Sequence, residues 1–153
     1  MASNRHLGRI IALQTLYEYE FRHDCGDKSL SIKEILKRNI DRYNKTVDDV
    51  SFVKNVVDGV QKHQAYVDDV LQPIAPDWPL TQIARMDRIV LRLGAYELLY
   101  LSDEVPAKVS INEAVELAKS FGGENSSKFI NGVLGTLYKQ KEEGVLPKEP
   151  TRK

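Results

Sequence analysis

Apolar residues recur at intervals of three and four along almost the whole chain, and that spacing confines it to helices. The clearest stretch is Val53, Val56, Val57, Val60, Val67, Val70 and Leu71. β-Branched residues suit strands, but a half-buried strand needs alternation at every second residue, and here there is none. Gly59 interrupts the stripe at a cost of about 1 kcal/mol against Ala, which points to a close helix crossing. Asp48 or Asp49 is placed to cap this helix, and Pro73 ends it. The first helix carries Leu7, Ile10, Ile11, Leu13, Gln14, Tyr17 and Phe21 on one face, with Ser3 or Asn4 as cap and His23–Asp27 as its end. The second opens on Ser31-Ile32-Lys33-Glu34, a capping box, and buries Ile32, Ile35, Leu36, Ile40 and Tyr43.

Beyond a joint at Pro76-Asp77-Trp78-Pro79, with Trp78 as its core anchor, helical pattern resumes from Leu80 to Leu101 and bends near Met86-Asp87. Ile89–Leu99 is apolar on most sides and should be the most buried helix. Ser110-Ile111-Asn112-Glu113 reads as a second capping box, starting a helix that stops at Gly122-Gly123. The last helix follows Asn125-Ser126-Ser127 and carries Phe129, Ile130, Val133, Leu134, Leu137 and Tyr138. From Lys139 a charged tail with Pro147 and Pro150 should fray. No pair of strands with a hairpin signal is present. The expectation is one all-α domain over residues 1–138 with a flexible tail over 139–153.

Charge removes one class of function. Lys plus Arg and Asp plus Glu each number 22 in 153 residues. A stand-alone, sequence-indifferent nucleic-acid binder draws its affinity from phosphate neutralisation and carries a basic excess. Any nucleic-acid role must therefore use a local patch, with a partner's help. The single Cys25 excludes an internal disulfide framework and a multi-cysteine zinc site, and no base or helix start stands beside it to activate the thiol. No apolar run approaches the roughly 20 residues of a membrane span and no signal-peptide pattern opens the chain, so the cytoplasm is expected. His6, His23 and His63 form no HExxH pair, and there is no GxSxG elbow, GxxxxGK[ST] loop or GxGxxG turn. Asp48-Asp49 and Asp68-Asp69 read as a cap and a solvated face. The sequence supports no enzyme, no metal and no cofactor.

Four segments carry more information. They are Arg9-x-x-Ala12-x-Gln14-x-Leu16-Tyr17, Asp87-Arg88-x-x-Leu91-Arg92-Leu93-Gly94-Ala95-Tyr96-Glu97-Leu98, Val109-Ser110-Ile111-Asn112-Glu113-Ala114-Val115-Glu116-Leu117-Ala118-Lys119 and Lys128-Phe129-Ile130-Asn131-Gly132-Val133-Leu134. In this order, on successive helices, they resemble the NusB family of bacterial transcription antitermination factors, from about Arg5 to Leu137. The resemblance implies a bundle of about seven helices in two halves, without catalysis. It further implies binding to ribosomal protein NusE and to boxA RNA of nascent ribosomal transcripts. The transcribing RNA polymerase complex with other Nus factors would be the setting, and a homodimer is left open. Two other readings stay open: the RNA-binding N-terminal domain of a ribosomal RNA cytosine methyltransferase, and a helical scaffold that binds proteins alone. The first needs a separate cofactor-binding domain that this length does not accommodate.

The same resemblance assigns candidate residues. Arg5, His6 and Arg9 match an arginine-rich RNA-contacting start, here thinner than usual; otherwise they are a solvated helix start. Asn125, Ser126, Lys128 and Phe129 open the last helix, where backbone N–H groups suit a phosphate and Phe129 suits an unpaired base; the alternative makes Phe129 core and Ser126 a cap. Tyr17, Asp87 and Arg88 match the NusE contact, with Asp87 expected to be solvent-exposed. Arg92, Tyr96, Glu97, Asn112, Glu113 and Asn131 read as a structural polar network joining the last three helices.

Overall fold

The computed structural model describes residues 5–43, 46–47, 49–77 and 79–150. Ser3, Asn4, Asp48 and Trp78, named above as caps and anchor, lie outside the described residues. Within them the chain forms α1 (Arg5–Asp24), α2 (Ile32–Arg42), α3 (Val50–Leu71), α4 (Arg85–Tyr100), α5 (Ala107–Phe121) and α6 (Ser126–Glu143). Short 3-10 turns at Gln72–Ile74 and Leu80–Gln82 flank the proline joint, and no strand occurs among the described residues. The all-α expectation holds. The chain divides into two units, Met1–Asp58 and Gly59–Lys153, with the boundary inside α3.

In the first unit α1 packs on α2 through Ile11, Leu13, Leu16, Ile35, Leu36 and Ile40, all buried. The Ser31–Glu34 box forms as expected, with Ser31 Oγ accepting the Glu34 N–H at 3.1 Å and Glu34 Oε1 accepting the Ser31 N–H at 3.1 Å. Asp49 caps α3, its Oδ1 accepting the Phe52 N–H at 3.0 Å. That bond chiefly holds the Asp49 carboxyl below its ordinary pKa. Asn39 donates to Thr15 Oγ1 at 3.0 Å inside the core, so a buried amide between α1 and α2 is satisfied.

In the second unit α4 is the central helix, and every residue from Ile89 to Leu98 is buried. It packs on α5 and α6. Gly59 is the close crossing that its position suggested: a Cβ there would lie 2.1 Å from the Tyr96 ring. Gly94 has the same role toward α6, where a Cβ would come within 2.5 Å of Leu134.

Several expectations are corrected. The break before α4 falls at Ile83-Ala84, which are extended, and not at Met86-Asp87. Helix α5 starts at Ala107 after Pro106, whose fixed φ suits a helix entry. Ser110 is therefore no cap: it is 1% exposed and donates to Glu97 Oε1 at 3.4 Å. Among the described residues the expected polar network does not include its two amides. Arg92 pairs with Asp68 of α3 through two 2.9 Å bonds, whereas Asn112 and Asn131 are exposed. Helix α6 runs past Lys139 to Glu143 and ends on Gly144 in the left-handed conformation, φ 69°, as a C-terminal glycine does.

The segment after Gly144 is tethered rather than loose. Tyr66 donates to Pro147 O at 2.5 Å, and Glu149 accepts from His63 Nδ1 at 2.5 Å and from Tyr100 Oη at 2.6 Å. Burial and the nearby Glu149 charge raise the Tyr100 hydroxyl pKa well above its ordinary value. The hydroxyl accordingly stays protonated and keeps donating.

Candidate functional site

The first unit gathers the N-terminal candidates around one ring. Arg5 and Arg9 lie one turn apart on α1, and both guanidinium groups sit over Phe52 of α3, 4.5 and 5.0 Å from its centroid. Arg5 also donates through Nε and Nη2 to Asp49 Oδ2 at 3.2 and 3.1 Å. Arg9 is only 3% exposed. Neither side chain belongs to the freely solvated helix start allowed for above, because the cap of α3 and its first aromatic residue draw both inward. His6 remains exposed beside them. Sequence reasoning missed Asp49 and Phe52 as partners. Their three-residue spacing signals the cap, but nothing local says which distant cations it meets.

Tyr17 is half-buried on α1 and stacks on Phe21, with ring centroids 6.4 Å apart and planes 9° apart. Phe21 is 49% exposed. An aromatic pair with one open face, on an otherwise polar helix end, is the kind of surface partners cover.

The second unit joins the other candidates at the start of α6. Gly122, packed tightly against Ser126, ends α5, and the N–H of Gly123 donates to Ser126 Oγ at 2.8 Å. Ser126 Oγ in turn donates to Asp87 Oδ2 at 3.0 Å. Ser126 is therefore neither a plain cap nor exposed: at 6% exposure it links α6 to the first turn of α4. Asp87 departs from its expected solvent exposure. It is half-buried, and its Oδ1 is sealed from water with no hydrogen-bond donor among the described residues. A buried acceptor without a donor costs about 1–3 kcal/mol. Arg88 turns back and donates through Nη1 to Leu80 O at 3.2 Å and Ile83 O at 3.1 Å, bracing the turn before α4.

A cavity of about 430 Å3 opens here, lined by Gln82, Ile83, Ala84, Asp87, Asn125, Ser126 and Phe129. Phe129 is half-buried, so its ring serves both packing and surface. Its other side, with exposed Lys128, lines a second hollow of about 330 Å3 that also includes Asp77 and Gly132. Asn125, at the N-cap of α6, makes no side-chain cap bond and is exposed. The arrangement offers an amide, a cation and a ring on one surface, while the uncompensated carboxylate oxygen of Asp87 is sealed beside them. Gln82, Ile83 and Ala84 were not anticipated, since their place depends on the break before α4. Among the described residues no group of His, Cys, Asp and Glu could hold a metal ion.

The NusB family model matches residues 6–139. The chain is 41% identical over 140 residues to the transcription antitermination protein NusB of Chloroflexus aggregans, covering 90% of this chain and 88% of that one. It is also 41% identical to the NusB protein of Dehalococcoides mccartyi, covering 91% and 92%. Its fold is similar to that of T. maritima NusB, with a TM-score of 0.80, 32% identity and coverage of 94% and 99%. It is similar as well to a chain in a crystal structure of antitermination factors NusB and NusE in complex with dsRNA, at TM-score 0.74, 25% identity and coverage of 88% and 96%.

Proposed function

The chain belongs to the NusB family, and on that footing we propose that it binds RNA together with ribosomal protein NusE to promote transcription antitermination. The RNA in this reading is the boxA element of nascent ribosomal transcripts, and the outcome is read-through by the polymerase complex with its other Nus factors. No catalytic step is involved, and the work is done in the cytoplasm, where bacterial transcription takes place. The observation that supports it best is the start of α6. Asn125, Lys128 and Phe129 supply an edge reader, a phosphate partner and a stacking ring, beside a carboxylate oxygen of Asp87 that lacks a donor. The half-buried Asp87 carboxylate also complements the charge of a basic ribosomal protein. Tyr17 and Phe21 supply an aromatic contact for the same partner from the first unit.

The charge balance gives the reading its test. With a net charge of zero and Arg5 and Arg9 engaged internally, the chain alone should hold RNA weakly. Adding NusE should tighten binding by about 1–3 kcal/mol of coupling. A fluorescence titration of boxA RNA with and without NusE at matched salt measures it, and equal affinities would refute the cooperative mechanism.

A further inference from the structure

Away from the surface just described, α5 and α6 enclose a groove of about 510 Å3 lined by Pro106, Ala107, Lys108, Ile111, Asn112, Asn131 and Tyr138. We propose that this groove is a second RNA contact, holding one or two unpaired nucleotides of the strand; the inference rests on the RNA-binding reading above. It starts from two exposed amides that the fold leaves unbonded among the described residues. Asn112 and Asn131 sit on helices whose other faces are core, yet both are exposed, and no hydrogen bond holds either amide among the described residues. An amide is planar and offers a donor and an acceptor side by side, which matches the edges of an unpaired base. Asn is also a poor residue for a helix interior, so helix propensity does not account for the pair.

The rest of the lining fits the same ligand. Tyr138 is 38% exposed, a large ring left open on α6, and aromatic rings stack on bases of any sequence. Lys108, in the first turn of α5, brings a cation to the positive end of that helix. None of the lining side chains is acidic. In a chain whose charges cancel overall, an acid-free groove with a lysine at its mouth favours an anion over an acidic or neutral protein segment. Asn131 and Tyr138 are seven positions apart on α6 and share a face. Gly135 lies between them on that face, and a Cβ there would meet nothing within 4 Å. A larger side chain at Gly135 would therefore project from that face without disturbing the core.

Single-stranded boxA RNA carrying a fluorophore is titrated into the full chain with NusE present, and NusE affinity is measured separately. The Asn112→Ala, Asn131→Ala double variant should bind RNA about tenfold more weakly, from the worth of paired hydrogen bonds to a base edge. Tyr138→Ala should show a similar loss of about tenfold for one stacked base, and Gly135→Leu should obstruct the groove while the helix content seen by circular dichroism is kept. Unchanged RNA affinity in all three variants, with the wild type binding, overturns the groove and leaves the RNA reading standing. A wild type that binds no RNA, with or without NusE, overturns both. Variants that lose NusE affinity but keep RNA affinity make the groove a protein surface and also overturn it.

Discussion

The two units treat the charged groups of their candidate sites in opposite ways. In the first, Arg5 and Arg9 are held against Phe52 and Asp49, and the acid and the cations are matched within the unit. In the second, Ser126 satisfies one oxygen of Asp87 and the other is left without a donor. A satisfied charge gives stability; a sealed, unsatisfied one costs stability. The positions that looked most like an RNA surface in the sequence are thus partly structural, and the carboxylate expected in open solvent is the strained member of the pair.

The largest expected effect tests the second half of that contrast. Asp87→Lys replaces an acceptor with a cation and should lower NusE affinity by about 100-fold, within the 2–5 kcal/mol range for breaking a desolvated charge pair. Because it also removes the acceptor for Ser126, it should cost about 1 kcal/mol of stability. Asp87→Asn separates the effects: an amide oxygen still accepts from Ser126, so the melting temperature should hold while NusE affinity falls. If both variants melt lower and bind NusE normally, Asp87 is a joint between α4 and α6 and nothing more.

The first half of the contrast is tested by Arg9→Ala. On a solvated face it would change stability by less than about 0.5 kcal/mol. Under a buried ring contact it should cost about 2 kcal/mol, from the lost cation–π contact and the lost packing of its stem. Urea denaturation at fixed pH resolves the two, and a midpoint unchanged from wild type would return Arg9 to the surface.

How legible these features were depends on the range of the interactions behind them. Helix registers, the Ser31–Glu34 box and the burial of α4 follow from neighbours within a turn or two, and the spacing of apolar residues states them directly. The Ser110–Glu113 pattern failed because the same residue types serve a helix interior: Ser110 turns inward to Glu97, and Pro106 starts the helix one turn earlier. Arg9 resembled a surface residue because nothing near it in sequence announces Phe52. Glu149 lies in what read as a loose tail, and its partners His63 and Tyr100 are far back in the chain. The start of α6 was located correctly, but the direction in which Ser126 and Asp87 face depends on the extended pair Ile83-Ala84, which the periodicity does not mark.

Salt dependence sharpens the first unit's side of the comparison further. If Arg5 and Arg9 both contact phosphates, changing both to Ala should reduce the slope of log K against log salt by about 1.4, at about 0.7 per single-strand contact. The burial of Arg9 and the partial exposure of Arg5, 27% at its side chain, favour the smaller change of about 0.7 from Arg5 alone. RNA titrations across a salt series distinguish these values, and an unchanged slope would assign both arginines wholly to the fold.

The smallest effect concerns acid. Three carboxyls of the first unit titrate below their ordinary values: Glu18 chiefly through its hydrogen bond from Arg38, Asp49 chiefly through the Phe52 N–H, and Asp27 down to about 2, chiefly through the Ser29 hydroxyl. In the second unit Glu149 is also lowered; burial pushes it up, but bonds from Tyr100 and His63 outweigh that. Each of these groups has a depressed folded-state pKa, so each contributes stability above the ordinary carboxylate value of about 4 and loses it as pH falls through the folded value. Of these, only Glu149 bonds to α4, at its last residue Tyr100 and outside Ile89–Leu98. Between about pH 4 and about pH 2, amides in the α1–α2 turn and the first turn of α3 should therefore lose hydrogen-exchange protection before those of Ile89–Leu98. Asp27→Asn should flatten the response of the turn alone, because Asp49 still caps α3. Simultaneous loss of protection in both units, after correction for intrinsic exchange rates, would mean that the acid-sensitive pairs of the first unit contribute nothing separate to its stability.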